Sequence, residues 1–243
     1  MVKVETQEII KEHEQIELKQ VSHGEQVRNF VYGFNDGIIT TLAIVAALSG
    51  ATVSNLIIIF AGVANILADG ISMSLGGYIS VKSQVEVYQK EKAREIREIE
   101  TVPEVEKEEI RQIYRQKGFK GKDLEKIVKI ITADKKRWLD VMMKEELGLV
   151  ESNFPNPVEV GAIIFVAFLI GGVIPILPYI FLNGKTALIT AVSLSFISIF
   201  LLGSMKSRFT QKNWLISGVE MLVIGMLATA VAYFIGGAIN YFV

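Results

Sequence analysis

The sequence predicts an all-α membrane protein with five transmembrane helices and a water-exposed helical domain inserted between spans 2 and 3. The chain of 243 residues is 51% hydrophobic and contains 20 glycines, which is typical of long apolar helices. Its 25 basic and 26 acidic residues are segregated, because most of them lie in residues 1–30 and 81–153. The net charge of −1 gives no indication of nucleic-acid binding, and the absence of cysteine excludes disulfides and thiolate metal sites.

Residues 1–29 are interpreted as a cytoplasmic, amphipathic N-terminal segment. Apolar side chains recur among many charges from Glu5 to Gln26, a pattern that favours a helix at the membrane surface. A disordered tail is an equal alternative for residues 1–15. The segment lacks a basic start followed by an apolar core and a cleavage site, so it is not a secretory signal.

Residues 30–80 are predicted to form the first two transmembrane helices, as a hairpin that turns at residues 51–55. Each arm is long enough to cross roughly 30 Å of hydrocarbon at about 1.5 Å per residue. The turn is short and uncharged, and the two arms contain only two formal charges, Asp36 and Asp69.

Residues 81–153 are predicted to form a helical domain in water. The second span is expected to continue as a helix to about Glu100, after which Thr101 caps the next helix and Pro103 occupies its first turn. Three shorter helices are expected, at residues 103–117, 121–132 and 135–147. Their apolar side chains are expected to share a core formed by Ile110, Ile113, Tyr114, Leu124, Ile127, Val128, Ile131, Trp138, Leu139 and Val141.

Residues 154–243 are predicted to contain the last three transmembrane helices, at about 158–182, 186–205 and 214–241. The loop at 206–212 carries three basic residues, whereas the loop at 183–185 carries one. Because basic residues are enriched in cytoplasmic loops, the N-terminus and residues 81–153 are expected in the cytoplasm. Glu220 lies about two turns into the last span, where it either takes part in proton coupling or snorkels to the membrane surface.

The acids of the first two spans are candidate functional groups, because an ionised carboxylate in hydrocarbon costs roughly 2.5 to 3.5 kcal/mol. Asn65, Asp69 and Met73 are each one turn apart, so an amide, a carboxylate and a thioether share one helix face. Oxygen ligands combined with sulfur favour a transition metal over Ca²⁺ or Mg²⁺. The alternatives are that Met73 fills a core and that Asp69 lies at a membrane interface. Small residues around Asp36, at 33–37, predict close contact with another helix or subunit.

Several acidic and methionine side chains of residues 81–153 are spaced to share a surface. They are Glu91, Glu95 and Glu98 on the first extramembrane helix, Glu106 and Glu109 on the next, and Met142, Met143, Glu145 and Glu146 on the last. Convergent carboxylates repel one another unless a cation lies between them, so this pattern predicts a metal-binding domain. The alternative is a solvated face of ordinary ion pairs, with the methionines in the core. The nucleotide-binding and hydrolase motifs are absent from the sequence, so an enzyme is not indicated.

Five motifs together resemble the vacuolar iron transporter family, in its prokaryotic type that transports ferrous iron and manganese. They are GEQVR at 24–28, GFNDG at 33–37, ISMSLGGY at 71–78, VPE at 102–104 and WLDVMMKEELG at 138–148. The resemblance extends over nearly the whole chain from about residue 23.

The resemblance implies a homodimer of five-span subunits that exports Fe²⁺ from the cytosol in exchange for protons. It implies Asp36 and Met73 as the metal ligands in the membrane and Glu25 at the cytoplasmic entrance. It also implies that seven residues of the 81–153 domain bind metal, namely Glu95, Glu98, Glu106, Glu109, Met142, Met143 and Glu146. Two positions depart from the family pattern, since Asn29 and Asn65 stand where acids are expected. Asp69 is the candidate replacement for the missing charge.

The resemblance leaves alternatives open. Fe²⁺ is the expected substrate, with Mn²⁺, Zn²⁺, Co²⁺ and Ni²⁺ as alternatives, and no prosthetic group is expected. A passive divalent-cation channel gated by the cytoplasmic domain and a non-transporting metal sensor are the competing hypotheses. The expected location is the cell membrane in a prokaryote or a vacuolar-type membrane in a eukaryote.

Overall fold

The computed structural model describes the backbone of residues 2–51, 53–151 and 154–242, and the side chains of residues 23–51, 53–151, 154–208, 211–227 and 229–231. The helices are α1 (Val2–Gly50), α2 (Asn55–Thr101), α3 (Pro103–Gln116), α4 (Gly121–Thr132), α5 (Lys135–Val141), α6 (Pro157–Phe181), α7 (Gly184–Thr210) and α8 (Trp214–Phe242). A π-helical turn, Met142–Glu146, continues α5. Over the described ranges all of the regular secondary structure is helical and no strand occurs, as the sequence predicts.

Five of the described helices are long and apolar enough to cross a membrane, and they are α1, α2, α6, α7 and α8. Their number agrees with the five predicted spans. Helix α1 is continuous from Val2, so the predicted surface segment and the first span form one helix instead of two elements. The side chains before His23 lie outside the described residues, and so does most of the predicted amphipathic pattern between Glu5 and Gln26.

The chain divides into two compact units. The membrane unit comprises residues 1–78 and 157–243. Its main core consists of Val45, Ile58, Ile66, Phe168, Ile176, Tyr179, Ala187 and Ala191, which come from α1, α2, α6 and α7. Large apolar side chains are also exposed along α2, at Leu56, Phe60, Val63, Leu67, Ile71 and Leu75. Exposed apolar surface of this extent is expected where a helix faces lipid.

Glycines allow α1 and α6 to approach closely. A side chain at Gly33 would meet the backbone carbonyl of Ile164, and a side chain at Gly37 would meet that of Phe168. Neither neighbour is a flexible side-chain end, so the backbones pack directly against each other at these positions. The contact predicted from the small residues at 33–37 is therefore made with another helix of the same chain.

The second unit, which we call the polar unit, comprises residues 79–156 and includes the last part of α2. Its core consists of Ile99, Ile110, Leu124, Val128, Ile131, Trp138 and Met142, with Tyr114, Ile127, Leu139 and Val141 packed against them. The core predicted from the sequence is thus confirmed except at Ile113, which is half-buried outside this cluster. Ile99 and Met142 are the members that the sequence pattern did not include.

The junction between α2 and α3 differs from the prediction. Thr101 is the last residue of α2, and its hydroxyl donates a hydrogen bond of 2.8 Å to the carbonyl of Arg97. The predicted cap at Thr101 is therefore wrong. Val102 occupies the N-cap position of α3 without a side-chain hydrogen bond, and Pro103 begins the helix. Because a single residue separates the two helices, Thr101 remains in α2 and bonds backwards along it.

Candidate metal centres

Five glutamates of the polar unit lie close enough to affect one another's ionisation. This carboxylate cluster consists of Glu95 and Glu98 on α2, Glu106 and Glu109 on α3, and Glu146 on the π-helical turn. The spacing within each helical pair is three residues, which places both members on one face. Ile99 and Ile110 pack in the same core, and this packing brings the acidic faces of α2 and α3 together.

Two members of the carboxylate cluster are deeply buried. Glu95 is 1% exposed and Glu106 is 4% exposed. In each, the Oε2 atom is buried and has no hydrogen-bond partner among the described residues. A buried carboxylate oxygen normally has a donor or a cation beside it, so these two atoms mark where a positive ion would be stabilised.

Burial and mutual repulsion raise the proton affinity of the cluster. Burial, followed by the charge of Glu109, raises the pKa of Glu106 to about 7. Burial and the charges of Glu95 and Glu109 likewise raise the pKa of Glu146 to about 7, although Glu146 is an exposed residue. Burial also raises the pKa of Glu95. Because a metal ion binds the deprotonated carboxylate, protons and a divalent cation would compete for this cluster near neutral pH.

Arg94 is a component of the cluster that the sequence analysis did not identify. Its Nη1 atom lies 2.7 Å from Oε2 of Glu91. Its Nη2 atom lies 3.2 Å from Oε1 of Glu95, and its Nε atom lies 3.3 Å from Oε2 of Glu98. The spacing of Arg94 to these acids is visible in the sequence, but arginine interleaved with glutamate is also typical of a solvated helix. Arg94 differs from an arginine in ordinary surface ion pairs only because one of its partners, Glu95, is buried.

The methionines and the remaining acid of the last helix have separate environments. Met142 is fully buried in the core of the polar unit, and Met143 is 3% exposed. Glu145 pairs with Lys117 and so belongs to an ion pair. In the part of the chain that the structure describes, no three histidine or acidic side chains are positioned to hold one metal ion as they stand. Binding an ion at the carboxylate cluster therefore requires its side chains to move inward.

Other acids of the polar unit form the ordinary ion pairs that the alternative interpretation predicts. Glu104 accepts a 2.7 Å hydrogen bond from Lys107 on the same helix. Glu125 accepts a 2.8 Å hydrogen bond from Arg111, which joins α4 to α3. The acids of α3 therefore have two kinds of surroundings, because Glu104 belongs to an ordinary ion pair whereas Glu106 and Glu109 belong to the carboxylate cluster.

The membrane unit brings the two predicted acids together. Asp36 on α1 and Asp69 on α2 are both half-buried, and they are close enough for their charges to interact. Among the described residues, no hydrogen-bond donor is found for either side-chain carboxylate. Met73 is half-buried and packs against the main core of this unit. Asn65 donates a hydrogen bond of 3.4 Å to the buried hydroxyl of Thr41.

The remaining predicted residues of the membrane unit have distinct surroundings. Glu25 is ion-paired with Arg28, with 3.1 Å between its Oε1 atom and Nη2 of the arginine. Asn29 is 6% exposed, so the amide that replaces the expected acid is buried. Glu220 is exposed on α8.

The chain is similar to transporters over almost its whole length. It matches the VIT family over residues 27–237. It is 36% identical to "Vacuolar iron transporter 1" of Tulipa gesneriana, over 97% of this chain and 94% of that protein. It is 34% identical to "Vacuolar iron transporter 1" of Arabidopsis thaliana, over 92% of this chain and 90% of that protein. It is also 34% identical to "Vacuolar iron transporter" of Plasmodium falciparum, over 87% of this chain and 81% of that protein.

Proposed function

Because the chain belongs to the VIT family, we propose that it is a secondary transporter that exports Fe²⁺ from the cytosol in exchange for protons. Its curated relatives are named vacuolar iron transporters, and proteins of this kind are not enzymes. The observation that carries the proposal is the pair of interacting acids, Asp36 and Asp69, on helices long and apolar enough to span a membrane. Acidic residues within membrane spans are usually found where they bind an ion or transfer a proton.

The proposed path through the membrane uses residues of α1 and α2. Asp36 and Met73 bind the ion, since a carboxylate supplies charge and a thioether favours a transition metal. Glu25 receives the ion at the cytoplasmic entrance. Asp69 and Glu220 are the candidates for proton coupling, because a carboxylate that releases a proton to bind metal links the two fluxes. Mn²⁺, Zn²⁺, Co²⁺ and Ni²⁺ fit the same ligand chemistry and are the alternative substrates.

The polar unit is proposed to capture the ion before transport. The carboxylate cluster provides five acids, and Met142 and Met143 lie buried in the same unit. Burial, together with the charges of the neighbouring glutamates, raises the pKa of Glu106 to about 7, and a divalent cation would offset both effects. Capture of this kind raises the local concentration of the ion at the membrane surface. We place the N-terminus and residues 81–153 in the cytoplasm, because basic residues are concentrated in the loop at 206–212.

We also propose that two copies of the chain form a homodimer with the metal path at their interface. Asp36 and Asp69 are only half-buried within one subunit, so a second subunit would shield them further from lipid. The membrane is a vacuolar-type membrane in a eukaryote, as the names of the relatives suggest, or the cell membrane in a prokaryote.

The test is metal uptake into proteoliposomes that contain the full-length protein, measured with and without a pH gradient. Antiport predicts that Fe²⁺ entry moves protons in the opposite direction and that an opposing pH gradient slows it. Asp36→Asn should abolish both fluxes, and Asp69→Asn should weaken their coupling. Asp123→Asn, at an exposed position of α4, is the matched control and should leave both fluxes unchanged.

Two results would reject the proposal in favour of a competing function. Metal entry that is independent of the pH gradient and moves no protons would identify a passive channel. Metal binding without any flux, in vesicles that contain correctly oriented protein, would identify a sensor.

A further inference from the structure

We propose that the membrane unit holds one anionic phospholipid, with its tail in an apolar groove between α1, α6 and α7 and its phosphate against the basic segment 206–212. The proposal concerns a lipid bound at a defined site and does not depend on which ion the protein transports. Three observations support it: an apolar groove, an adjoining basic cavity and the arrangement of charge around both.

The apolar groove has a volume of about 550 Å³. Its walls include Phe30 and Phe34 of α1, Ile163 of α6 and Leu202 of α7. The volume lies within the range of ligand-sized cavities, roughly 300 to 1,000 Å³. The groove is lined almost entirely by hydrocarbon, so it suits a lipid tail and gives no hydrogen bonds to a polar ligand.

A second cavity, of about 600 Å³, adjoins the groove near the end of α7. Leu201 and Met205 line both cavities, so the two cavities are neighbours along α7. The second cavity is lined by Arg208, Lys212 and Trp214, together with serine and asparagine side chains. An apolar groove that leads into a basic, hydroxyl-rich cavity is complementary to a phospholipid, in which an apolar tail is attached to a phosphate.

The charges of this region favour an anion. Arg208 and Lys212 are both exposed, and the sequence contains no acid between residues 199 and 219. The nearest acid of α6, Glu159, accepts a 2.6 Å hydrogen bond from Gln26, which lines the groove. A guanidinium can donate two parallel hydrogen bonds to a phosphate, whereas a neutral apolar ligand has no acceptor for them.

Trp214 has the surroundings expected at the membrane surface, where the headgroup of a bound lipid would lie. Its side chain is 57% exposed, and its ring meets that of Phe200 edge to face with 6.3 Å between centroids. Exposed tryptophan at the end of an apolar helix is typical of the boundary between lipid and water. The basic cavity therefore lies at headgroup level, and the apolar groove extends from it alongside the apolar part of α7.

The wild-type experiment compares two lipids with identical tails. Full-length protein in detergent is incubated with palmitoyl-oleoyl phosphatidylglycerol or phosphatidylcholine, and retained lipid is counted by native mass spectrometry. We expect one phosphatidylglycerol per chain and a roughly 25-fold preference over phosphatidylcholine, since each of two bases contributes about a factor of five. Equal retention of the two lipids would overturn the proposal without any variant.

Paired variants test the two halves of the site. Arg208→Gln with Lys212→Gln should remove the preference for phosphatidylglycerol, whereas Lys185→Gln, at an exposed base near the start of α7, should keep it. Ser198→Phe fills the apolar groove and should reduce retention of both lipids. Ser193→Phe makes the same change at an exposed position of α7 and should leave the retention of both lipids unchanged.

Three other results are possible, and each of these results would overturn the proposal. Millimolar inorganic phosphate that displaces the bound signal would identify a site for free anions. A dimer that dissociates on Ser198→Phe while lipid retention stays unchanged would assign the groove to a second copy of the chain. Equal effects of Ser198→Phe and Ser193→Phe would show that the groove is not the tail site.

Discussion

Glu106 is the residue whose surroundings differ most from those of an ordinary surface glutamate. It is 4% exposed, one of its oxygens is buried without a partner among the described residues, and four other glutamates act on it. We expect Glu106→Gln to weaken Mn²⁺ or Fe²⁺ binding by the full-length protein by at least about 10-fold, because a charged ligand is lost. Isothermal titration of the purified protein measures this change.

Glu104→Gln is the matched control for that substitution. Glu104 is the second residue of the same helix, but it is exposed and pairs with Lys107. Its loss should change metal affinity by less than about twofold, since an exposed ion pair contributes little. Equal weakening by the two substitutions would show that overall charge, and not the cluster, determines binding.

The pKa of Glu106 also predicts how the metal-free protein responds to pH. Its folded-state pKa is about 7, above its ordinary value of 4.5, so the folded state binds more protons than the unfolded state between these values. The free energy of unfolding should therefore fall as the pH rises from about 5 to about 7. Thermal unfolding of metal-free protein across this range measures the slope.

Glu106→Gln should reduce that slope, because a glutamine has no proton to lose. Glu146, with a pKa also of about 7, supplies a further part of the slope, which Glu146→Gln should remove. A slope that is unchanged in both variants would show that their carboxyl groups do not titrate in this range.

The packing of α1 on α6 is the contact between elements that tolerates least change. We expect Gly37→Ala to destabilise the membrane unit by about 1 to 3 kcal/mol, since its Cβ would meet the backbone of Phe168. Gly76→Ala is the control, because a Cβ there has open space around it. Both substitutions remove a helical glycine, so the difference between their melting temperatures isolates the contact. Equal melting temperatures would contradict direct backbone packing.

The elements that the sequence predicts well are those with strong local signals. The bounds predicted for α4, residues 121–132, agree with the structure because a glycine precedes the periodic apolar pattern and polar residues follow it. The π-helical turn after α5 was not predicted, since its extra residue per turn depends on packing and leaves no periodic pattern. The sequence did not predict that α1 is one continuous helix, because the charged residues in its first part resemble a segment separate from the apolar span.

In the candidate sites, too, local sequence patterns identify some residues, and only the tertiary packing identifies the others. Asp36 and Asp69 could be identified from the sequence because acids are rare in apolar spans. The spacing of the cluster acids within each helix was also visible. The burial of Glu95 depends on how α2 and α3 pack, so no local pattern identifies it. The contacts of Arg94 with Glu91, Glu95 and Glu98 are local to α2, but their spacing alone does not distinguish Arg94 from a surface arginine.

At the scale of the whole molecule, capture and transport are assigned to different units and should be separable. Glu106→Gln should raise the Fe²⁺ concentration for half-maximal uptake by roughly 10-fold while the maximal rate is kept. Asp36→Asn should abolish the maximal rate while metal binding by the polar unit is retained. Uptake measured over a range of Fe²⁺ concentrations distinguishes the two effects. Loss of the maximal rate in both variants would show that the polar unit takes part in the transport step itself.

The guanidinium of Arg94 is paired with Glu91, Glu95 and Glu98 at distances of 2.7 to 3.3 Å. If the polar unit binds a divalent ion as proposed, that ion would compete with a guanidinium that is already present and stays tethered to the same helix. The net gain from exchanging one positive charge for two would be smaller than for binding to unpaired acids, so the ion would be released more readily than from a cluster without an internal cation.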